Sequence, residues 1–154
     1  MEVQRLDPFR PADWRLIPMV LARVMASAEE EHGTVPPLLM LHLLTHFAGG
    51  LVQPDKVEMA CWVGVDEGVV RAHTLVELAN EHGLPYLVIS QHASDRGFPY
   101  GKGALRILEE MIAWGREKGA LRIRTQARSR NLARAYRVFY GFRELHRVPM
   151  EREL

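Results

Sequence analysis

Apolar residues recur along this chain in two rhythms, one of about 3.6 residues and one of two, and the changes between them mark its elements. A short strand-like run, Val3 to Leu6, is ended by the turn-forming DPFRPAD. Asp13 then caps a helix from Trp14 to about Glu31, along which Leu16, Met19, Val20, Arg23 and Val24 recur at helical spacing. Pro18 falls in the early turns of that pattern, so the helix either starts there or is kinked. Gly33 and Pro36-Pro37 punctuate the chain before Leu38 to Phe47, an almost wholly apolar helix that closes at Gly49-Gly50 and suits an interior or an interface.

The rhythm of two takes over at Val57. Val57 to Val65 and Val69 to Leu78 are β-rich runs joined by Asp66-Glu67-Gly68, which predicts a hairpin. Asn80 to Pro85 turns the chain again, and Leu84 to Ser90 completes an antiparallel meander. After RGFPYGKG, residues 96–103, a helical pattern places Leu105, Leu108, Met111, Ile112 and Gly115 on one face, with Gly119 as C-cap. Leu121 to Gln126 alternates as a strand, so Leu84 to Gln126 is a strand–helix–strand unit, implying a parallel, right-handed crossover. Ser129 or Asn131 caps a further helix, Leu132 to about Phe139. Phe142 to Met150 reads as a terminal strand whose Pro149 confines it to an edge or its end. The expected fold is α+β in one domain, residues 1–154: a mixed, mostly antiparallel sheet flanked by helices, with a central parallel strand–helix–strand unit.

Composition narrows the class. Charged residues at 25% and hydrophobic ones at 47% are ordinary for a soluble globular chain. The start, MEVQRLDPF, shows no signal peptide, and Pro36 to Leu41 falls far short of the roughly 20 apolar residues that span a bilayer. The expectation is a cytoplasmic protein without a membrane partner. Cys61 stands alone, so no internal disulfide can form. Charge is uneven: residues 1–100 hold 7 Lys/Arg against 13 Asp/Glu, a net −6, whereas residues 101–154 hold 13 against 6, a net +7. A basic C-terminal third fits a phosphorylated cofactor, a nucleic acid or simply a solvated face.

Candidate chemistry concentrates at Gly101 and Gly103. A strand, a glycine-bearing turn and a helix N-terminus make an anion site, because unpaired N–H groups and the helix dipole meet there and glycine admits a close approach. Lys102 adds a full charge between the glycines, and a plain tight turn is the competing reading. His42 and His46 are spaced i, i+4, but Leu43 stands where a zinc protease needs glutamate, so no metal is expected.

The element order, RGFPYGKGAL at the head of the central helix and NLARAYRVFYGFRE near the C-terminus together resemble the GCN5-related N-acetyltransferase (GNAT) superfamily. The resemblance covers nearly the whole chain in element order, with its specific motifs between Leu84 and Glu144. It implies a GNAT-like sheet and an acetyl-CoA-dependent N-acetyltransferase acting on a primary amine of a small molecule or peptide. By that resemblance Gly101 and Gly103 fill the small positions of the pyrophosphate loop. The loop's usual leading Arg or Gln falls on Phe98, with Arg96 two residues early. Backbone amides of Gly101, Lys102, Gly103, Ala104 and Leu105 would hold the coenzyme A diphosphate, and Asn131 would bond the pantetheine arm. Tyr136 resembles the tyrosine that protonates the departing thiolate, and Tyr140 is the competing assignment. A main-chain N–H near Ile89 or Ser90, freed by a bulge, would polarise the thioester carbonyl.

Attack would be direct, leaving Cys61 an inert packed thiol. For the general base, His73 and Glu77 lie four residues apart on one strand face, and His92 follows the next strand. The acidic first 100 residues favour a cationic acceptor. Two other readings compete. One is a non-catalytic module on the same fold. The other is a nucleic-acid-binding domain using Arg122, Arg124, Arg128, Arg130, Arg134 and Arg137. The apolar helix and exposed strand edges are compatible with a homodimer.

Overall fold

A computed structural model describes residues 2–7, 9–33, 41, 45, 59–95, 100–126 and 130–145. The chain runs β1 (Glu2–Arg5), α1 (Pro11–Trp14), α2 (Ile17–His32), β2 (Met59–Asp66), β3 (Val69–Glu81), β4 (Leu84–Ser94), α3 (Tyr100–Glu117), β5 (Ile123–Thr125) and α4 (Arg130–Tyr140). The five strands form one sheet in the order β1-β2-β3-β4-β5, antiparallel until β5, which runs parallel to β4. The expected α+β fold is the observed one, with the parallel unit at one end of the described sheet.

Two cores lie on the two sheet faces. Val20 and Val24 of α2, with Leu16 just before it, pack with Met59, Cys61, Val63, Val70 and Leu75. On the other face Ile107, Met111 and Trp114 of α3 pack with Val3, Trp62, Val76 and Leu87. Alternation along β2 and β3 feeds both cores, which is why most of β2 and the Val70–Val76 stretch of β3 are buried. Trp62 sits at the centre of the second core, 1% exposed, its ring edge-on to Trp114 at 5.9 Å, and its indole N–H donates to Glu110 Oε2 at 3.0 Å.

Both meander turns use residues at positive φ: Glu67 and Gly68 at 50° and 78°, and His82 and Gly83 at 54° and 80°. Such pairs match the twist of the strands they join. At the second turn Asn80 Oδ1 also accepts the Gly83 N–H at 2.8 Å.

Several expectations are corrected. Asp13 does not cap α2: it lies inside α1, 2% exposed. Its carboxylate instead accepts from the Asp7 N–H at 2.9 Å, Gln4 Nε2 at 3.1 Å and Arg10 Nη2 at 2.8 Å. The main helix starts at Ile17, with Pro18 in its first two positions, where the missing N–H costs nothing. On α3 the buried stripe is rotated from the expected one: Ile107 and Trp114 are buried and Leu105 is 44% exposed. α4 begins at Arg130, which places Asn131 inside the helix and not at its cap. β5 is only Ile123–Thr125, and residues 142–145 are not a strand. The expected Leu38–Phe47 helix falls outside the described residues except at Leu41 and Thr45, both helical, and His42, His46, Arg96 and Ser129 lie wholly outside them.

Candidate active site

β4 carries the irregularity on which the site turns. Leu75 of β3 pairs with Gln91, but the next residue, Val76, pairs with Ile89, so Ser90 is an extra residue with no partner opposite it. This is a β-bulge, which bends the strand and breaks its ladder locally. Ser90 is exposed, and its Oγ lies 3.4 Å from the Leu75 carbonyl. On its other edge β4 pairs with β5 at Leu87↔Ile123, Val88↔Arg124 and Ile89↔Thr125, and no further among the described residues. β4 then runs on to Ser94 while β5 ends at Thr125. Among the described residues the bulge and the end of the parallel pairing coincide, so Ser90 is where β4 and β5 are free to part.

The far end of β4 is tied down. Asp95 donates its N–H to the Arg71 carbonyl at 2.8 Å and accepts from Arg23 Nη1 of α2 at 2.6 Å. That Arg23 bond holds the Asp95 carboxyl below its ordinary pKa. Arg23 Nη2 also donates to the Arg71 carbonyl at 3.0 Å. The place where the chain leaves β4 toward α3 is therefore fixed by an ion pair from the opposite helix.

α3 starts at Tyr100, so Gly101, Lys102 and Gly103 form its first turn. The first N–H groups of an α-helix have no intrahelical acceptor. The expected GxG turn is thus a helix head, and the unpaired amides there are those around Gly101 and Lys102; the amides of Ala104 and Leu105, also expected at the anion site, lie within the helical ladder instead.

Of the candidate bases, His73 has no exposed surface. Burial pushes its pKa down to about 4, its Nε2 lies 3.2 Å from Gln91 Oε1, and its Nδ1 is buried without a partner. His92 is also pushed down by burial, with Nδ1 2.7 Å from Thr74 Oγ1. Glu77 is half-buried on the same face of β3 as His73, opposite Val88 and beside the bulged stretch. Cys61 is 2% exposed, and burial raises its thiol to about 12.

The tyrosines stand elsewhere. A cleft of about 750 Å³ lies between α3, β5 and α4, lined by Leu108, Ile112, Thr125, Ala133, Tyr136 and Tyr140 among others. Tyr136 packs against Tyr140 and Phe142, with ring centroids 6.0 and 5.3 Å apart. Arg122 just before β5, Arg124 of β5, Arg137 and Arg143 make the cleft basic, but among the described residues two of the four are in ion pairs: Arg124 with Glu81 at 2.5 Å, Arg137 with Glu144 at 3.3 Å. The structure thus brings Ile89, Ser90 and Glu77 together near the bulge, places Gly101 to Leu105 at the α3 head, and sets Tyr136 and Tyr140 beyond β5. Sequence reading missed the Arg124–Glu81 pair, the Asp95 anchor and the enclosure of His73; only the polar alternation of LRIRTQ hinted at the first.

Among the described residues no group of three or more His, Cys, Asp or Glu could hold a metal ion, and no helix is long and apolar enough to cross a membrane.

No family model matches the sequence, and no curated protein matches it. Solved structures do. A predicted acetyltransferase from Clostridium acetobutylicum, crystallised with acetyl-CoA, matches with a TM-score of 0.67 at 12% identity, over 98% of this chain and 95% of that one. The aminoglycoside N-acetyltransferase AAC(6')-Iy in complex with a CoA–neamine bisubstrate analogue matches at 0.65 and 14%, over 99% and 97%. An acetyltransferase from Trypanosoma brucei matches at 0.63 and 15%, over 99% of each. Likeness at such identities is a likeness of fold, and the chain has the fold of these acetyltransferases.

Proposed function

We propose that this protein is an acetyl-CoA-dependent N-acetyltransferase that moves the acetyl group to a primary amine by direct attack. The single observation carrying this reading is the coincidence at Ile89–Ser90: the β4 bulge falls where, among the described residues, the pairing of β4 with β5 ends. A thioester arm laid between β4 and β5 there meets a strand whose ladder is interrupted, and its diphosphate meets the first-turn amides around Gly101 and Lys102. Lys102, with Arg96 before the helix, adds positive charge, and Asn131 in the first turn of α4 bonds the amide-bearing arm.

In the proposed step an amine nitrogen attacks the thioester carbonyl carbon, and the N–C bond forms as the C–S bond breaks. A main-chain N–H at Ile89 or Ser90 stabilises the oxygen that gains charge. Glu77 takes the proton lost by the attacking amine. It is preferred to His73, which is sealed inside the first core. Tyr136 gives a proton to the departing thiolate, with Tyr140, one turn on, as its alternative. The fold neighbours bound to acetyl-CoA and to an aminoglycoside bisubstrate analogue support a coenzyme A donor and an amine acceptor.

Coenzyme A titration followed by thermal unfolding tests the binding half of this reading. A ligand at a hundred times its Kd stabilises by about 2.7 kcal/mol, which raises Tm by several degrees. Thiol release from acetyl-CoA with a panel of primary amines tests the catalytic half. Binding without release for any amine points to a non-catalytic module on this fold, and no binding removes the assignment.

A further inference from the structure

Three parallel register pairs hold β5 to β4, assisted by the Leu87 N–H to Arg122 carbonyl bond at 2.8 Å and the Leu121 N–H to Pro85 carbonyl bond at 3.1 Å. This is a short seam for a strand that forms one wall of the opening. One face of it is secured by the core, since Leu87 and Ile123 pack with the α3 cluster. Alternation puts Tyr86, Val88 and Arg124 on the other face.

There Arg124 reaches back across β4. Its guanidinium carbon stands 4.2 Å from the centroid of the Tyr86 ring, and its Nη2 donates to Glu81 Oε2 of β3 at 2.5 Å. One side chain from β5 thus lies over β4 and ends on β3. Arg124 keeps 23% of its side-chain surface, against 54% for Arg137 in the other ion pair of this cleft. A surface ion pair contributes little, but a partly shielded, aromatic-stacked one has a fixed geometry and a stronger hold. A lysine could supply the charge but neither the planar stack nor the fork.

We propose that Arg124 is a positioning residue: stacked on Tyr86 and bonded to Glu81, it clamps β5 at the closed end of the β4–β5 opening and so sets that opening's width. The proposal rests on the reading above, because the width matters only if the opening receives the thioester arm. Among the described residues nothing pairs β5 to β4 beyond Thr125, so a small rotation at the clamp becomes a larger displacement past the Ile89–Thr125 pair, at Ser90. The loss is then felt in coenzyme binding by a residue that does not touch the coenzyme.

The test uses the full chain and its Arg124→Ala, Arg124→Lys, Glu81→Gln and Arg124→Ala/Glu81→Gln variants. It measures Kd for coenzyme A by calorimetry, and backbone hydrogen exchange over residues 121–126. Arg124→Ala is expected to weaken coenzyme A about tenfold, Glu81→Gln about threefold, and the double variant no more than Arg124→Ala alone, as for partners in one interaction. Exchange at Ile123–Thr125 should accelerate in all four, with Arg124→Lys close to Arg124→Ala. Should Arg124→Ala fail to fold, Glu81→Gln and Arg124→Lys still decide. Faster exchange with unchanged Kd overturns the proposal and leaves a plain strand staple. Weaker binding with unchanged exchange overturns it the other way, making Arg124 a direct ligand contact, and a Lys variant equal to wild type reduces the clamp to its charge. Wild type that binds no coenzyme A overturns the functional reading and the positioning role with it, while the exchange rates still judge the clamp.

Discussion

His73 can stay in the first core only as a neutral ring. In the unfolded chain a histidine titrates near 6.5, whereas burial beside Arg23 and His92 brings this one to about 4. Between those values the unfolded chain binds a proton that the folded chain refuses. Unfolding therefore becomes easier as pH falls from 6.5 toward 4, by on the order of 3 kcal/mol from this ring. His92, shifted in the same direction, adds to the same slope. Denaturant unfolding followed from pH 7.5 to pH 4 should show the decline, and His73→Gln should flatten it; an unaltered slope in the variant would move the effect to other groups. Tyr136 makes the opposite kind of prediction, about chemistry and not stability. Tyr136→Phe keeps the ring against Phe142 and removes only the hydroxyl, so turnover should drop by about a hundredfold while coenzyme A affinity holds. Normal turnover would pass the proton to Tyr140 or to water. Sequence alone could rank His73 as a base by its unperturbed pKa and its shared face with Glu77. It could not show that α2 covers the His73 end of that face, because which helix closes over a strand is a property of the assembled layers.

At the scale of elements, α3 is held against the sheet by a missing side chain. A Cβ on Gly115 would stand 2.5 Å from Leu87 Cδ1 and 3.1 Å from its Cγ, and Leu87 is 1% exposed at the root of the parallel pair. Gly115→Ala gains about 1 kcal/mol of helix propensity but forces Leu87 into a filled core, so a net loss of about 1–2 kcal/mol is expected in equilibrium unfolding. A stabilised variant would show that α3 can ride outward freely. The head of the same helix gives a functional prediction: Gly101→Asp places bulk and negative charge among the first-turn amides and should nearly abolish coenzyme A binding, read by calorimetry. The elements themselves were legible wherever local chemistry dictates them. Asp66-Glu67-Gly68 and Asn80 to Pro85 turn where the positive-φ residues require it, and Pro18 marks the start of α2. Legibility fails where partners far along the chain decide. Leu105, Leu108, Met111 and Ile112 look like the buried stripe of α3, but the Trp62–Trp114 edge contact rotates it to Ile107, Met111 and Trp114. Asp13 has the composition of a cap, yet its oxygens are taken by Gln4, Asp7 and Arg10. The bulge at Ser90 has no signature in LPYLVIS at all; resemblance to a family, not periodicity, pointed to it.

At the scale of the whole molecule, the described sheet is firm at β2 and β3 and lightly held at its β5 edge. β2 and the Val70–Val76 stretch of β3 lie between two cores and are largely buried, and β1 pairs along the free edge of β2. β5 has three residues in the sheet, none of them fully buried, and α4 beside it leaves Val138 and Phe139 65% and 70% exposed. Local stability follows buried apolar contact, so opening should begin at β5 and α4 while β2 and β3 exchange only through global unfolding. The proposed ligand would sit between these two regimes, with its diphosphate on α3 and its arm between β4 and β5. It follows that coenzyme A should slow hydrogen exchange most at residues 100–105 and 121–140 and leave β2 and β3 nearly as they were. Protection spread evenly over the sheet would instead report simple global stabilisation, and the opening at Ser90 would lose its claim to be the binding site. Native-state exchange with and without saturating coenzyme A separates the two, because only a ligand lodged in the weakly held half can change the order in which the parts of the fold open.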